Sequence, residues 1–177
     1  INDVLDLARI ESGAGISVLI APVELSALTD YIESTFGQVA ESKGLRFEIR
    51  RAKDVPRAIE SDSQRLQQIV RNLLSNAFKF TNQGHVTLSV NAAETGWNLD
   101  NDTLNRAPEV VAFSVTDSGI GIPIDKQQII FEAFQQADGS TSRQYGGTGL
   151  GLAISREIAV LLGGEIRLES VPGEGST

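Results

Sequence analysis

The chain has 177 residues, 41% of them apolar, enough for one ordinary globular domain with a full core. Its 15 Lys and Arg against 23 Asp and Glu give a formal charge of −8, which argues against a nucleic-acid surface, since phosphate contacts need clustered cations. With no Cys and one His, it has neither a disulfide framework nor a thiolate or His-rich metal site, and no run approaches the ~18 apolar residues of a membrane span.

Ile1, Val4, Leu5 and Ala8 stand at helical spacing, and the pattern stops before Gly13 and Gly15. So short a segment is marginal alone and reads as the tail of a longer helix. The start Ile1-Asn2-Asp3 has no signal-peptide character, and the missing initiator Met and the end at Ser176-Thr177 suggest a fragment. Any membrane segment is expected outside it. Residues 16–22 are expected as a strand. Residues 24–42 carry Leu25, Leu28, Ile32, Phe36, Val39 and Ala40, an amphipathic helix closed by Lys43-Gly44. Strands are expected over 45–50 and 57–60, then a helix capped by Asp62 or Ser63 and running to Phe80.

After the turn signal Asn82-Gln83-Gly84, residues 85–92 and 110–116 read as paired strands. Residues 93–109 between them read as an extended hairpin loop, with Trp97 as a local packing anchor. A short helix over 124–134, a glycine-containing flexible stretch over 135–147, a helix over 148–162 and a strand over 165–171 follow. Gly173-Glu174-Gly175 then turns toward one more strand, cut off at the end of the chain. The order is mixed α and β, with helices that can all cover one face of one sheet.

Three patterns carry chemistry. On the 62–80 helix, at ~100° per residue, Leu66, Ile69, Val70, Leu73, Leu74, Ala77 and Phe78 form an apolar face. Arg65, Gln68, Asn72, Ser75, Asn76 and Lys79 form the opposite stripe. Such a stripe is ordinarily a solvated face, but two mid-helix Asn are poor helix formers that solvent does not require. Amide oxygens suit Mg²⁺, and an ammonium suits phosphate. The second pattern runs Val115-Thr116-Asp117-Ser118-Gly119-Ile120-Gly121-Ile122-Pro123. It is either an ordinary turn or a strand end whose carboxylate accepts from an exocyclic amine, with glycines admitting a flat ligand. The third, Tyr145-Gly146-Gly147-Thr148-Gly149-Leu150-Gly151-Leu152, runs into a helix. It is a turn, or a set of backbone donors for phosphate; no GK[ST] follows, so it is not a P-loop.

In series, these patterns resemble the boxes of sensor histidine kinases, hybrid kinases included. Residues 72–80 (NLLSNAFKF) resemble the asparagine box, 117–123 the first glycine box, 131–134 (FEAF) the phenylalanine box and 147–152 the second glycine box. Residues 1–13 (INDVLDLARIESG) resemble the end of the family's dimerisation and phosphoacceptor hairpin. The resemblance implies an α+β class, a two-layer α/β sandwich of the Bergerat type shared with gyrase and MutL. Its mixed sheet would be covered on one face by about three helices, with residues 1–13 as the hairpin tail and 14–177 as the catalytic domain, truncated before its last strand.

The resemblance also implies roles. Asn76 would hold Mg²⁺, Asn72 would lie beside it near the phosphates, and Lys79 would contact a phosphate. Asp117 would bond the adenine amino group, with Gly119, Gly121 and Ile122 around the base. A lid over 135–148 would bring Arg143 and Tyr145 near phosphate or ribose, and Gly147, Thr148, Gly149, Leu150 and Gly151 would supply backbone donors. Phe131 and Phe134 read as core aromatics anchoring the lid.

The implied activity is transfer of the γ-phosphoryl group of Mg·ATP to a histidine in two-component signalling. The hydrolytic relatives use a Glu where this chain has Asn72, which cannot take a proton. That weakens the alternatives of a serine kinase or ATPase of the same fold, while intact boxes weaken that of a degenerate nucleotide-binding module. His85 opens a strand beyond the asparagine box, so the acceptor is expected before Ile1. Expected partners are the phosphoacceptor hairpin of the same protein, homodimeric at full length, and a response regulator or receiver domain. The expected location is the cytoplasm, or the cytoplasmic part of a membrane-bound kinase.

Overall fold

The computed structural model describes residues 17–132 and 149–177. The expected helical tail at 1–12, the lid, Phe134, Arg143, Tyr145, Gly147 and Thr148 lie outside the described residues. Strand β1 (Ala21–Glu24) pairs antiparallel with β3 (Ala58–Ser61) in a small ribbon. The main sheet has five strands in the order β2-β4-β5-β7-β6, comprising β2 (Arg46–Arg51), β4 (His85–Ala93), β5 (Val110–Asp117), β6 (Ser170–Val171) and β7 (Gly175–Ser176). Among the described residues only β2 and β4 pair in parallel, which makes the sheet mixed, as expected.

Helix α1 (Leu25–Lys43) buries Leu25, Leu28, Ile32, Phe36 and Ala40, the one-face spacing of its sequence. Gly44 ends it in the left-handed region at φ 64°, returning its N–H to the Ala40 and Glu41 carbonyls. Helix α2 (Ser63–Phe80) starts where the Asp62 carboxylate accepts from the Arg65 N–H at 3.0 Å. Asp62 also accepts from the Leu19 N–H at 2.8 Å. Burial pushes the Asp62 carboxyl up, but these N–H donors outweigh it and hold it below the ordinary value.

Alternate residues Val86, Leu88 and Val90 of β4 are fully buried against the apolar faces of α1 and α2. Phe78 of α2 stacks on Phe36 at 5.5 Å and receives the edge of Phe47 at 5.3 Å. A second cluster joins Ile69 of α2 to Ile154, Ile158 and Ala159 of α4 (Gly151–Leu161), with Leu73 packed against it. This gives the two-layer sandwich, and among the described residues no helix is long and apolar enough to cross a membrane.

Five expected boundaries move. The first strand is Ala21–Glu24 because its register is set by β3, while Leu19 and Ile20 stay exposed. The 93–109 loop contains a short helix, α3 (Asp102–Arg106), capped by the Asn101 side chain accepting from the Leu104 N–H at 3.1 Å. Over 124–132 there are turns and a 3-10 helix (Ile129–Phe131) in place of the longer helix. Helix α4 begins at Gly151 because Gly149, at φ 70°, is left-handed and outside any right-handed helix. Of the 165–171 strand only Ser170–Val171 forms; residue 169 also exchanges backbone bonds with Thr177 at 2.8 and 3.0 Å. Gly175–Ser176 pairs between β5 and β6. Trp97 donates from Nε1–H to Asn105 Oδ1 at 2.8 Å and lines a large cavity.

Candidate functional site

A cavity of about 1240 Å³ runs between α2, the length of β5, the 93–109 loop, the loop after β5, α4 and residues 162–169. Asn72, Asn76, Lys79, Asp117, Gly121, Ile122, Gly149 and Gly151 all line it. Three patterns far apart in sequence therefore meet in one place. The amphipathicity of α2 accounts for its part: with Leu74 and Phe78 buried, Asn72, Asn76 and Lys79 are left half-buried at the cavity.

Asn72 has a more specific task than proximity to phosphate. Its Nδ2 donates to the Gly151 carbonyl at 3.2 Å and to Ser155 Oγ at 3.1 Å, bracing α2 against the first turn of α4. Lys79 holds its Nζ 4.9 Å from the Phe80 ring centroid, and partial burial pushes its ammonium below the ordinary lysine value.

Asp117 ends β5. Burial pushes its carboxyl above the ordinary value; the Gly119 N–H, the Thr81 hydroxyl, the Ser176 N–H and the charge of His85 act in the opposite direction. The Gly119 N–H donates to Oδ1 at 2.8 Å. A Cβ on Gly119 would lie 2.5 Å from the Phe80 carbonyl oxygen, and one on Gly121, at φ 65°, 2.1 Å from that of Val171. Glycine is thus required here by approach of the chain's own backbone, whatever ligand the loop admits. The Ile122 N–H donates to Ser170 Oγ at 2.8 Å, and Gln127 Nε2 donates to the Ile122 and Ser170 carbonyls at 2.8 and 2.9 Å. These bonds tie the loop to the β6–β7 hairpin.

At the second glycine box, Gly149 and Gly151 line the cavity while the Leu150 side chain is buried in the second cluster. The N-cap residue of helix α4, Leu150, makes no side-chain cap hydrogen bond, and a helix N-terminus is a site where backbone N–H groups suit an anion. Reading the sequence missed Ile120, Ile130 and Leu152 as apolar lining. It also missed Thr81 and Ser176 as neighbours of Asp117. The Ser176 contact depends on the Asp117↔Ser176 register, which no local signal encodes; Thr81 was legible only as the residue ending the asparagine-box helix. His85 opens β4, its N–H donating to Ser118 Oγ at 2.9 Å, and lies on no helix.

A mixed sheet under amphipathic helices, with an amide-lysine stripe, a buried carboxylate and an uncapped helix start around one cavity, defines a nucleotide-binding class of domain. The profile of the histidine kinase-, DNA gyrase B- and HSP90-like ATPases matches residues 61–177, and the chain belongs to that family. Among its relatives, the signal transduction histidine-protein kinase BarA of Escherichia coli K12 is 38% identical over 177 residues, all of this chain but 18% of that protein. The chain therefore spans less than a fifth of that relative's length. Full-length ShkA, solved in complex with AMPPNP, superposes with a TM-score of 0.78 at 34% identity, over 99% of this chain and 33% of that one. The histidine kinase ThkA, solved in complex with the response regulator TrrA, shares the fold at a TM-score of 0.69 and 21% identity, over 97% of this chain and 44% of that one.

Proposed function

We propose that this domain binds Mg·ATP in the cavity and donates its γ-phosphoryl group to a histidine on a separate phosphoacceptor hairpin. The observation that carries this reading is the meeting of Asn76, Lys79, Asp117 and the start of α4 around one cavity. Asp117 accepts from the adenine amino group while Ile120, Ile122 and Ile130 cover the base. Lys79 and the first amides of α4 take phosphate oxygens, and Gly147, Thr148, Arg143 and Tyr145 are assigned to the same ligand from the sequence pattern. Phosphoryl transfer is mostly positioning and charge neutralisation, which this set supplies.

Mg²⁺ fits the residues present. Among the described residues no group of three or more His, Cys, Asp or Glu side chains could hold a metal ion, and the Asn76 amide oxygen is the protein group assigned to it. A Mg²⁺ held by one or two protein oxygens, phosphates and water suits such a site; when bound, it neutralises phosphate charge. Asn72 lies where a hydrolase would place a base, yet its amide is engaged with α4, which favours transfer over hydrolysis. The remaining assignments are a preceding hairpin in a homodimer, with residues 1–13 as its tail, a response regulator or receiver domain downstream, and a cytoplasmic setting.

Calorimetric titration tests the nucleotide reading. Mg²⁺ is expected to strengthen ATP binding in the native chain, and Asn76→Ala to lose that gain with an unchanged melting temperature. The side chain is half-buried on the cavity side, so its truncation opens no core void. A large fall in the unliganded melting temperature would mark Asn76 as structural instead.

A further inference from the structure

We infer that Thr81 is a positioning residue for the base contact, its hydroxyl donating to the Asp117 carboxylate and leaving that carboxylate's remaining lone pairs toward the cavity. The inference rests on the nucleotide reading above and deepens it, since it makes the site select an amino group over a carbonyl on the base edge.

Thr81 ends α2, its N–H donating to the Ala77 carbonyl at 3.1 Å, and the residue is fully buried. The adjoining Phe80 carbonyl accepts from the Ile120 N–H at 3.3 Å and sits against Gly119, as Asp117 Oδ1 does. The end of α2 and the carboxylate are thereby held together across the first glycine box. Among the described residues, Thr81 Oγ1 is the one buried side-chain atom without a fitted hydrogen-bond partner within the fold. An unpaired buried hydroxyl is costly, and Val has nearly the same shape without that cost. The neighbour that can use the hydroxyl proton is Asp117, whose ionised form Thr81 favours against burial. A protonated Asp117 would turn a donor toward the adenine amine, itself a donor, so holding the charge holds the specificity.

The experiment compares the native domain with Thr81→Val, Thr81→Ala and Thr81→Ser, and with Thr81→Val in an Asp117→Ala background. ATP and GTP affinities are measured by calorimetry from about pH 5 to pH 8, the range above the ordinary carboxylate value. The two hydroxyl deletions are expected to weaken ATP about five- to tenfold, the scale of one ordinary net hydrogen bond, since the hydroxyl acts on the nucleotide only through Asp117. They should leave GTP nearly unchanged and shift the low-pH loss of ATP binding to higher pH. Thr81→Ser is expected to restore both, and Thr81→Val to add nothing once Asp117 is Ala. Native-like ATP affinity and pH profile in the deletions, with a raised melting temperature, would overturn the inference. So would an equal loss of ATP and GTP, the mark of a structural role. Asp117→Ala binding ATP as the native domain does would overturn the nucleotide reading itself, and this inference with it.

Discussion

Asp117→Ala is expected to weaken ATP about tenfold or more while changing GTP little. A hydrogen bond to a charged acceptor contributes roughly 1.5–3 kcal/mol, and 1.4 kcal/mol is tenfold in affinity. Burial raises this carboxyl above its ordinary value of 3.8, so ATP affinity should fall as pH drops through the raised value and the acceptor is protonated. The sign for stability is the reverse. A carboxyl raised by folding binds more protons folded than unfolded, so its effect on the unliganded domain grows unfavourable as pH rises from 3.8 through the raised value. Asp117→Asn should therefore leave the unliganded melting temperature unchanged or higher, while ATP binds more weakly. A destabilised unliganded Asp117→Asn domain with native ATP affinity would make this carboxylate a structural group.

Asn72→Ala is expected to show the opposite pattern, lowering stability and nucleotide affinity together. It removes the donors to the Gly151 carbonyl and to Ser155 Oγ, and Ser155 is fully buried. At about 1 kcal/mol for each hydrogen bond the loss is roughly 2 kcal/mol. For a domain of this size that is about 4–8 °C of melting temperature. Because the same bonds fix the first turn of α4, the amides proposed to take phosphate should lose their alignment, and ATP affinity should fall as well. Thermal melts and titrations on one preparation measure both. An unchanged melting temperature would mean that the two helices are held by Ile69, Ile154 and Ile158 alone.

What was legible in the sequence is what local chemistry determines. The apolar spacing of α1 and α2, the Asp62 cap and the Gly44 stop were each read within a residue of their place, because each is satisfied by neighbours a turn away. The cavity lining was legible through Asn72, Asn76, Lys79 and Asp117, since buried apolar partners dictate which way the other face of α2 looks. The features that were missed depend on partners distant in the chain. The start of β1 is set by β3 more than thirty residues on, and the extent of β6 by pairing with β7. Helix α3 rests on the Asn101 cap within a polar stretch that lacks apolar periodicity. A further reason for Gly119 and Gly121 needed the structure, because the crowding atoms belong to Phe80 and Val171, one on each side of the loop. Asn72 lines the cavity, but its bracing of α4 needed the structure, since its two acceptors lie 79 and 83 residues away.

The central claim is phosphoryl donation to a histidine outside this chain. The direct measurement supplies the domain with γ-labelled Mg·ATP and a separately produced phosphoacceptor hairpin, then follows acid-labile label on each chain. The expected result is label on the hairpin, abolished by replacing its histidine, and none on this domain, whose His85 opens a strand. Release of free phosphate at the same rate with or without the hairpin, or acid-labile label on this chain that disappears in His85→Ala, would contradict the account.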